Sequence, residues 1–242
     1  MATIADRAVL ITGSNRGIGR ALVAEALRRG AGRVYAAARQ PLPADDARVT
    51  PLTLDITSPE QIRAAAEQVE SLDVLVNNAG IARYDDLSDG EVLQEHLAVN
   101  VLGVLGVTQA FLPQLIRSGG AVVNNVSILA FAPLPLIASY SASKAAAFSV
   151  TQSLRSSLGT QGVSVHAVLT GTVDTDMTRG FDIPKASPES VAAGIFDGLE
   201  KDEEDIFPDE ESAVIADSWR NGTAKAFERE RSGLARAARA AS

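Results

Sequence analysis

Tyr140 and Lys144 stand four positions apart in the run Tyr-Ser-Ala-Ser-Lys, a spacing that on a helix puts phenol and ammonium on one face. A tyrosine titrating at about 10 is a poor base at neutral pH, but an adjacent ammonium favours the phenolate and draws it toward a usable range. The pair reads as a proton donor and acceptor with Lys144 as its tuner. Ser127 brings a hydroxyl that can hold a substrate oxygen for Tyr140. Asn100 sets an amide among Val99, Val101, Leu102 and Val104, where burial obliges it to find partners. Singly, these are an amphipathic tyrosine, a solvated lysine and a strand-ending serine. Together they make one site for moving a proton.

A second constellation lies near the N-terminus, in Thr12-Gly13-Ser14-Asn15-Arg16-Gly17-Ile18-Gly19. Glycines there let the chain turn tightly and approach a pyrophosphate, and the free N–H groups of a following helix favour an anion. The Gly-x-x-x-Gly-x-Gly spacing differs from the commoner Gly-x-Gly-x-x-Gly, and an ordinary strand-to-helix turn has a similar look.

Both constellations need elements to carry them. Short apolar runs at Ala8 to Ile11, Val34 to Ala37, Val49 to Leu54, Val74 to Val76, Ala121 to Val126 and Val163 to Leu169 lack the alternation of a one-sided sheet. They suit strands covered on both faces. Helical patterns lie between them at Ile18 to Arg29, Pro59 to Glu70, Glu91 to Ile116, Ser139 to Leu158 and Pro188 to Leu199. Ser58-Pro59 and Ser187-Pro188 mark two helix starts, an N-cap serine followed by proline at the first helical position. The alternation predicts an α/β fold, a doubly wound parallel sheet with helices on both faces, binding ligands beyond the carboxyl ends of the strands. No linker or repeat interrupts the pattern, so residues 1–242 read as a single domain. A charged C-terminal helix or tail is expected from about residue 210. The acidic residues Asp202 to Asp205 and Asp209 to Glu211, then Arg220, Lys225, Arg229, Arg231, Arg236 and Arg239, read as a solvated helix fraying into an Ala/Arg tail.

Composition removes whole classes of function. The 242 residues carry 22 Lys and Arg against 30 Asp and Glu, a net charge of -8, which argues against nucleic-acid or anionic-membrane binding. Without cysteine there are no disulfides or thiolate sites, and with His96 and His166 as the only histidines no metal site is expected. Asp6 and Arg7 interrupt the N-terminal stretch before an export signal can form, which points to the cytoplasm. The uncharged stretch Ser118 to Ser143 contains Gly119, Gly120, Asn124, Asn125, Pro133 and Pro135, whose polar groups and broken backbone lipid cannot satisfy. It reads as a buried strand and an apolar loop.

Asn77-Asn78-Ala79-Gly80 closes the fourth strand, Asn100 lies in the long helix after it, Ser127 ends the fifth strand, and Tyr140 to Lys144 opens the next helix. In this order of motifs the sequence closely resembles the short-chain dehydrogenase/reductase family in its compact single-domain branch, with a Rossmann-type sheet of about seven strands. The resemblance implies that Tyr140 protonates a carbonyl oxygen during reduction, or takes the hydroxyl proton in reverse, while a nicotinamide exchanges hydride with the carbon. It implies that Lys144 also binds the nicotinamide ribose and that Asn100 holds a water relaying protons to it. Cofactor contacts carry over to Gly13, Ser14, Asn15, Arg16, Gly17, Ile18 and Gly19, to Asp55 near adenine, to Asn77, Ala79 and Gly80 along the cleft, and to Gly171, Val173 and Thr175 near the carboxamide. Thr170 stands where the family usually has proline, which leaves the rigidity of that loop open.

The second strand ends in Ala38 and Arg39, where NAD-preferring members usually place an acid. Arg16 adds a second guanidinium suited to the extra phosphate, so NADP(H) is the expected cofactor. Ile128, Phe131, Leu134, Met177 and Phe181 suggest an apolar substrate pocket, and Asp174, Asp176 and Asp182 near its mouth disfavour anions. A neutral ketone or aldehyde, or the matching alcohol, is the expected substrate. The resemblance further implies a homodimer or homotetramer paired through the helices at Glu91 to Ile116 and Ser139 to Leu158. Two other functions fit the same motifs, a non-catalytic NADP-binding sensor and a redox-neutral lyase or epimerase.

Overall fold

The computed structural model describes residues 3–40 and 43–240, with 234–240 as backbone alone. The side chains of Arg236 and Arg239, and Met1 and Ala2 of the N-terminal stretch, lie outside the described residues. The chain runs β1 (Ala8–Thr12), α1 (Gly17–Arg28), β2 (Arg33–Ala38), β3 (Val49–Thr53), α2 (Pro59–Gln68), β4 (Val74–Asn77) and α3 (Gly90–Leu97). A π-helical turn (Ala98–Gly103) leads into α4 (Val104–Ser118), followed by β5 (Ala121–Asn125), α5 (Ala138–Leu158) and β6 (Ser164–Val168). Then come α6 (Pro188–Glu200), β7 (Asp205–Ile206), α7 (Glu210–Arg220) and α8 (Thr223–Ala240). The strands form one seven-stranded parallel sheet in the order β3-β2-β1-β4-β5-β6-β7. The order reverses at β1 and β4, so the connections leaving them part and open a cleft at their carboxyl ends.

Successive strand side chains point to opposite faces, and here both faces are apolar. Val9 and Ile11 of β1, Val74 and Val76 of β4 and Ala121 and Val123 of β5 pack on one face with Leu22 of α1 and Ile195 and Phe196 of α6. Leu10, Leu75 and Val122, the residues between them, pack on the other face with Ile62 of α2, Phe111 and Leu115 of α4 and Leu158 of α5. Burying each large side chain contributes roughly 1.5–3 kcal/mol, so a run apolar at every position holds helices on both sides. Gly90–Ser118 is long and apolar enough to cross a membrane by length and composition. In this fold Val107, Phe111 and Leu115 spend that apolarity on the sheet.

Two expectations are corrected. The helix expected over Glu91 to Ile116 is interrupted by the π turn that holds Asn100, a helical irregularity that recurs at functional sites. The acidic C-terminal run is also solvated only in part, since Asp202, Glu210 and Glu211 are exposed but Asp205 and Asp209 are buried. Asp205 pairs with Ala167 at the sheet edge as the start of β7, with its carboxylate 2.7 Å from Arg155 and 2.6 Å from Lys225. Lys225, on α8, is 1% exposed and also meets Glu204 and Glu228 at 3.0 and 2.7 Å. Charge here closes the edge of the sheet, which a pattern search keyed to apolar runs cannot see.

Candidate active site

The loop after β1 is shaped by glycine. Gly13 has a φ of 68°, and a Cβ on Gly19 would come within 2.1 Å of the Gly13 carbonyl oxygen. Ser14 is buried and donates from both its N–H and its hydroxyl to the Ala37 carbonyl, at 3.1 and 3.0 Å, which moors the loop to β2. From the other side Asn78 moors it to β4: its amide donates to the Thr12 and Gly13 carbonyls at 3.0 and 3.3 Å. Asn125 in turn donates to the Asn78 side-chain oxygen at 3.1 Å. Asn78 escaped the sequence reading because its contacts join three strand ends distant in the chain.

The loop fits a pyrophosphate by what it lacks. Helices α2, α3, α6 and α7 each have an N-cap oxygen accepting a first-turn N–H, from Ser58, Asp89, Ser187 and Asp209. At α1 the N-cap Arg16 makes no such bond, and no acidic side chain lies in the first turn. Its N–H groups and the helix dipole therefore present an uncompensated positive end at the switch point. Gly17, Ile18 and Gly19 form that first turn, Asn15 is exposed beside it, and a Cβ on Gly17 would lie 3.0 Å from Thr175. Ala79 faces Gly13, while Gly80 faces the side-chain oxygen of Asn100 and the ammonium of Lys144.

Asn77 is a correction. Its side chain turns into the core, donating to Thr108 at 3.0 Å and Asn124 at 2.8 Å, so any cleft contact falls to its backbone. Asn124 passes the chain of hydrogen bonds to Thr151 at 3.0 Å. An amide at a strand end faces cleft or core according to register, which spacing alone does not reveal.

Four elements meet around Tyr140 and Lys144. Asp85 fixes the start of α5 by accepting the Ser139 N–H at 3.0 Å and a very short bond from its hydroxyl. Tyr140 follows immediately, its phenol beside the Ser127 hydroxyl from beyond β5, which itself donates to the Thr170 carbonyl at 3.3 Å. Lys144, one turn on and 6% exposed, donates to the Asn125 carbonyl at 2.8 Å and sits 5.5 Å from the centre of the Tyr140 ring. Asn100 donates to Ser143 at 2.9 Å and to the Ile81 carbonyl at 3.0 Å, and accepts the Ile81 N–H at 2.9 Å. Its side chain thus ties the turn after Gly80 to α5, which leaves a water relay only the remaining lone pair. Ser143 donates on to the Tyr140 carbonyl at 2.7 Å.

The electrostatics reverse one expectation. Burial pushes the Tyr140 phenol up to about 12 against the lowering effect of the Ser127 hydroxyl, and burial brings Lys144 down to about 8. The lysine was expected to be the leading influence on the phenol. Desolvation leads instead, because taking the phenolate out of water costs more than the Ser127 hydroxyl returns to it. At neutral pH the phenol is a proton donor and most of Lys144 is charged.

The remaining sequence choices separate. Thr175 touches the glycine loop, whereas the Val173 side chain is 4% exposed and belongs to the core, leaving its backbone for the cleft. Arg16 and Arg39 do not form a matched pair. Arg16 is 3.0 Å from Asp176, across the cleft on the segment after β6, while exposed Arg39 helps hold the Asp55 carboxyl below its ordinary range, after Thr57. Asp176 also pairs with Arg179, and Asp174 lies 3.9 Å from Lys185, so two of the three acids expected at the mouth have a cation beside them. Phe131 stacks on Trp219 at 4.5 Å and meets Phe148 edge-on at 5.0 Å, and Ile128 packs on the same cluster. Both are corrected from pocket lining to packing against α7. Leu134 and Met177 stay exposed, and Phe181 meets Tyr84 at 5.8 Å. Tyr84, which the sequence reading passed over, lines a cavity of about 440 Å³ with Asp85, Asp86, Val92, Pro135 and Leu136.

Residues 7–185 match the protein family described as short chain dehydrogenase. A 1-deoxy-11-beta-hydroxypentalenate dehydrogenase from Streptomyces exfoliatus is 32% identical over 245 residues, covering 89% of each chain. An NADPH-dependent 1-acyldihydroxyacetone phosphate reductase from Schizosaccharomyces pombe is 38% identical over 71% of this chain and 61% of its own. A crystal structure of a short chain dehydrogenase from Burkholderia cenocepacia in complex with NADP superposes with a TM-score of 0.87 at 34% identity, covering 95% of this chain and 98% of that one.

Proposed function

The chain belongs to the short-chain dehydrogenase/reductase family of oxidoreductases, and from that premise we propose that it is an NADPH-dependent carbonyl reductase, reversible as an alcohol dehydrogenase. The observation that carries the proposal is the Tyr140 phenol set beside the Ser127 hydroxyl, with the Lys144 ammonium 5.5 Å from its ring and burial favouring its protonated form. A sensor that only binds nucleotide has no use for a proton donor placed there. Gly13 to Gly19 and the α1 N-terminus would hold the pyrophosphate of a nicotinamide cofactor, which would supply the hydride. The protein does the rest. Ser127 orients the substrate oxygen, Tyr140 donates the phenolic proton to it as charge builds on oxygen, and the Lys144 ammonium offsets the negative charge left on the phenol.

NADPH rather than NADH is supported by the absence of an acid after Ala38, by exposed Arg39, and by Arg16 at the rim of the loop. The NADP held by the Burkholderia structure and the NADPH in the yeast relative's name support the same choice. A neutral, largely apolar ketone or aldehyde is supported by the Tyr84 cavity, whose Asp85 wall accepts the N–H of Ser139, the residue before Tyr140. Asp85 and Asp86 there both stay ionised: burial raises Asp85 but its bonds to Ser139 outweigh that, and Ser88 lowers Asp86.

The test is a spectrophotometric screen of NADPH consumption over carbonyl compounds, with carboxylate- and phosphate-bearing members included. Stoichiometric consumption with neutral ketones supports the proposal. Nucleotide binding without consumption for any member returns the sensor reading, and preference for charged members overturns the substrate class.

A further inference from the structure

The segment that follows β6 has Thr170 where the family resemblance leads one to expect proline, yet it is held from outside. Gly171 donates its N–H to the Asp209 carboxylate at 2.9 Å, and Thr172 donates its N–H to the Glu211 carboxylate at 2.6 Å. Both acids stand at the start of α7, beyond residues 7–185. Asp209 is itself fixed, because its other oxygen accepts the Ser212 N–H at 2.8 Å as the N-cap of the helix. The approach is tight enough that a Cβ on Gly171 would lie 2.6 Å from the Asp209 carboxylate and 2.7 Å from that of Glu211. At the other end of α7, Trp219 donates to Asp205 at 2.7 Å and stacks on Phe131, four residues past Ser127. One helix therefore touches both segments that leave β5 and β6 toward the cleft.

We propose that Asp209 and Glu211 are positioning residues for the cofactor: they clamp the Gly171–Thr172 backbone, hold the following Val173 to Thr175 in register with the glycine loop, and so set nicotinamide-nucleotide affinity from the C-terminal helix. The inference rests on the nucleotide-binding reading above. Two charge-assisted bonds to consecutive N–H groups do here what a fixed proline φ does elsewhere, restricting a segment that must meet Gly17 through Thr175.

The experiment compares wild type, Glu211→Ala, Glu211→Gln and Gly171→Ala by calorimetric titration with NADPH, hydrogen exchange over residues 169–176 without nucleotide, and thermal midpoint. Glu211 is exposed and Asp209 still caps α7, so Glu211→Ala keeps the helix. Its amide protection at Thr172 falls, and its Kd for NADPH rises about fivefold to tenfold, the scale of one lost charge-assisted bond. Glu211→Gln, whose amide oxygen still accepts but without the charge, restores protection at Thr172 and recovers part of the affinity. Gly171→Ala pushes the carboxylates away from the loop side and gives the same two changes. Unchanged affinity in both Glu211→Ala and Gly171→Ala overturns the clamp, as does weakened affinity with protection intact. Failure of wild type to bind NADPH or NADH overturns the nucleotide-binding reading and the inference with it.

Discussion

The ammonium of Lys144 donates to the main-chain oxygen of Asn125 at 2.8 Å, joining the second turn of the helix that carries Tyr140 to the end of the strand that leads to Ser127. That bond sets the distance between the helix carrying Tyr140 and the strand end carrying its hydroxyl partner. It also fixes a titratable charge in a buried place, and burial lowers its pKa to about 8.

The consequence is a pH limb in the activity. In the reductive direction kcat/KM falls as pH rises through about 8, because Lys144 loses the proton that offsets the charge developing on Tyr140. Lys144→Arg keeps its charge at any accessible pH and moves that limb away, whatever its absolute rate. A wild-type profile that stays flat well above this value would assign the lysine a purely structural role.

Tyr140→Phe keeps the ring and its packing but removes the transferable proton. Turnover falls about 10²–10⁴-fold while the Kd for NADPH is retained, as read by stopped turnover assays beside calorimetric titration. Loss of nucleotide binding in this variant would mean that the phenol is a binding group first.

Arg16 is paired with Asp176 by an exposed ion pair worth no more than about 1 kcal/mol. Freeing it in Asp176→Ala raises the preference for NADPH over NADH up to about fivefold, the equivalent of that energy. The Arg16→Ala, Arg39→Ala double variant lowers the same ratio by about tenfold or more, since two cations near an added phosphate are lost. Ratios of kcat/KM for the two cofactors measure both, and a ratio indifferent to the double variant removes these arginines from cofactor choice.

At the sheet edge, burial pushes the Asp205 carboxyl up, but Arg155, Lys225 and Trp219 outweigh it and the net shift is downward. A carboxyl depressed in the folded state adds stability that is present above its unfolded pKa of about 3.9 and is lost as pH falls below that value. Lys225→Met leaves Asp205 buried with one cation fewer. It lowers stability by about 3 kcal/mol at neutral pH and moves the acid loss of thermal midpoint to higher pH. Superimposable curves of midpoint against pH for the two proteins would show that the network carries no net stability.

The sheet and the shared helix face of Tyr140 and Lys144 were legible because each depends on local sequence. Runs apolar at every position mark strands covered on both faces, and the interval of four from Tyr140 to Lys144 fixes a shared helix face wherever the helix lies. The π turn at Asn100, the inward turn of Asn77 and the packing of Phe131 on Trp219 were not legible. Each depends on which partner a distant segment presents: Ile81 and Ser143 for Asn100, Asn124 for Asn77, α7 for Phe131.

The sequence by itself determined the doubly wound α/β fold, the family, the glycine loop and the identity of the groups that can move a proton, since composition and spacing carry that information along the chain. Tertiary structure alone decided how those groups are poised. Desolvation depends on every neighbour at once, so only the packed protein reveals that burial, ahead of Lys144, governs the Tyr140 phenol. By the same reasoning, an acidic run that looks like solvated surface in one dimension becomes, in three, the closing strand of the sheet and the clamp on Gly171 and Thr172.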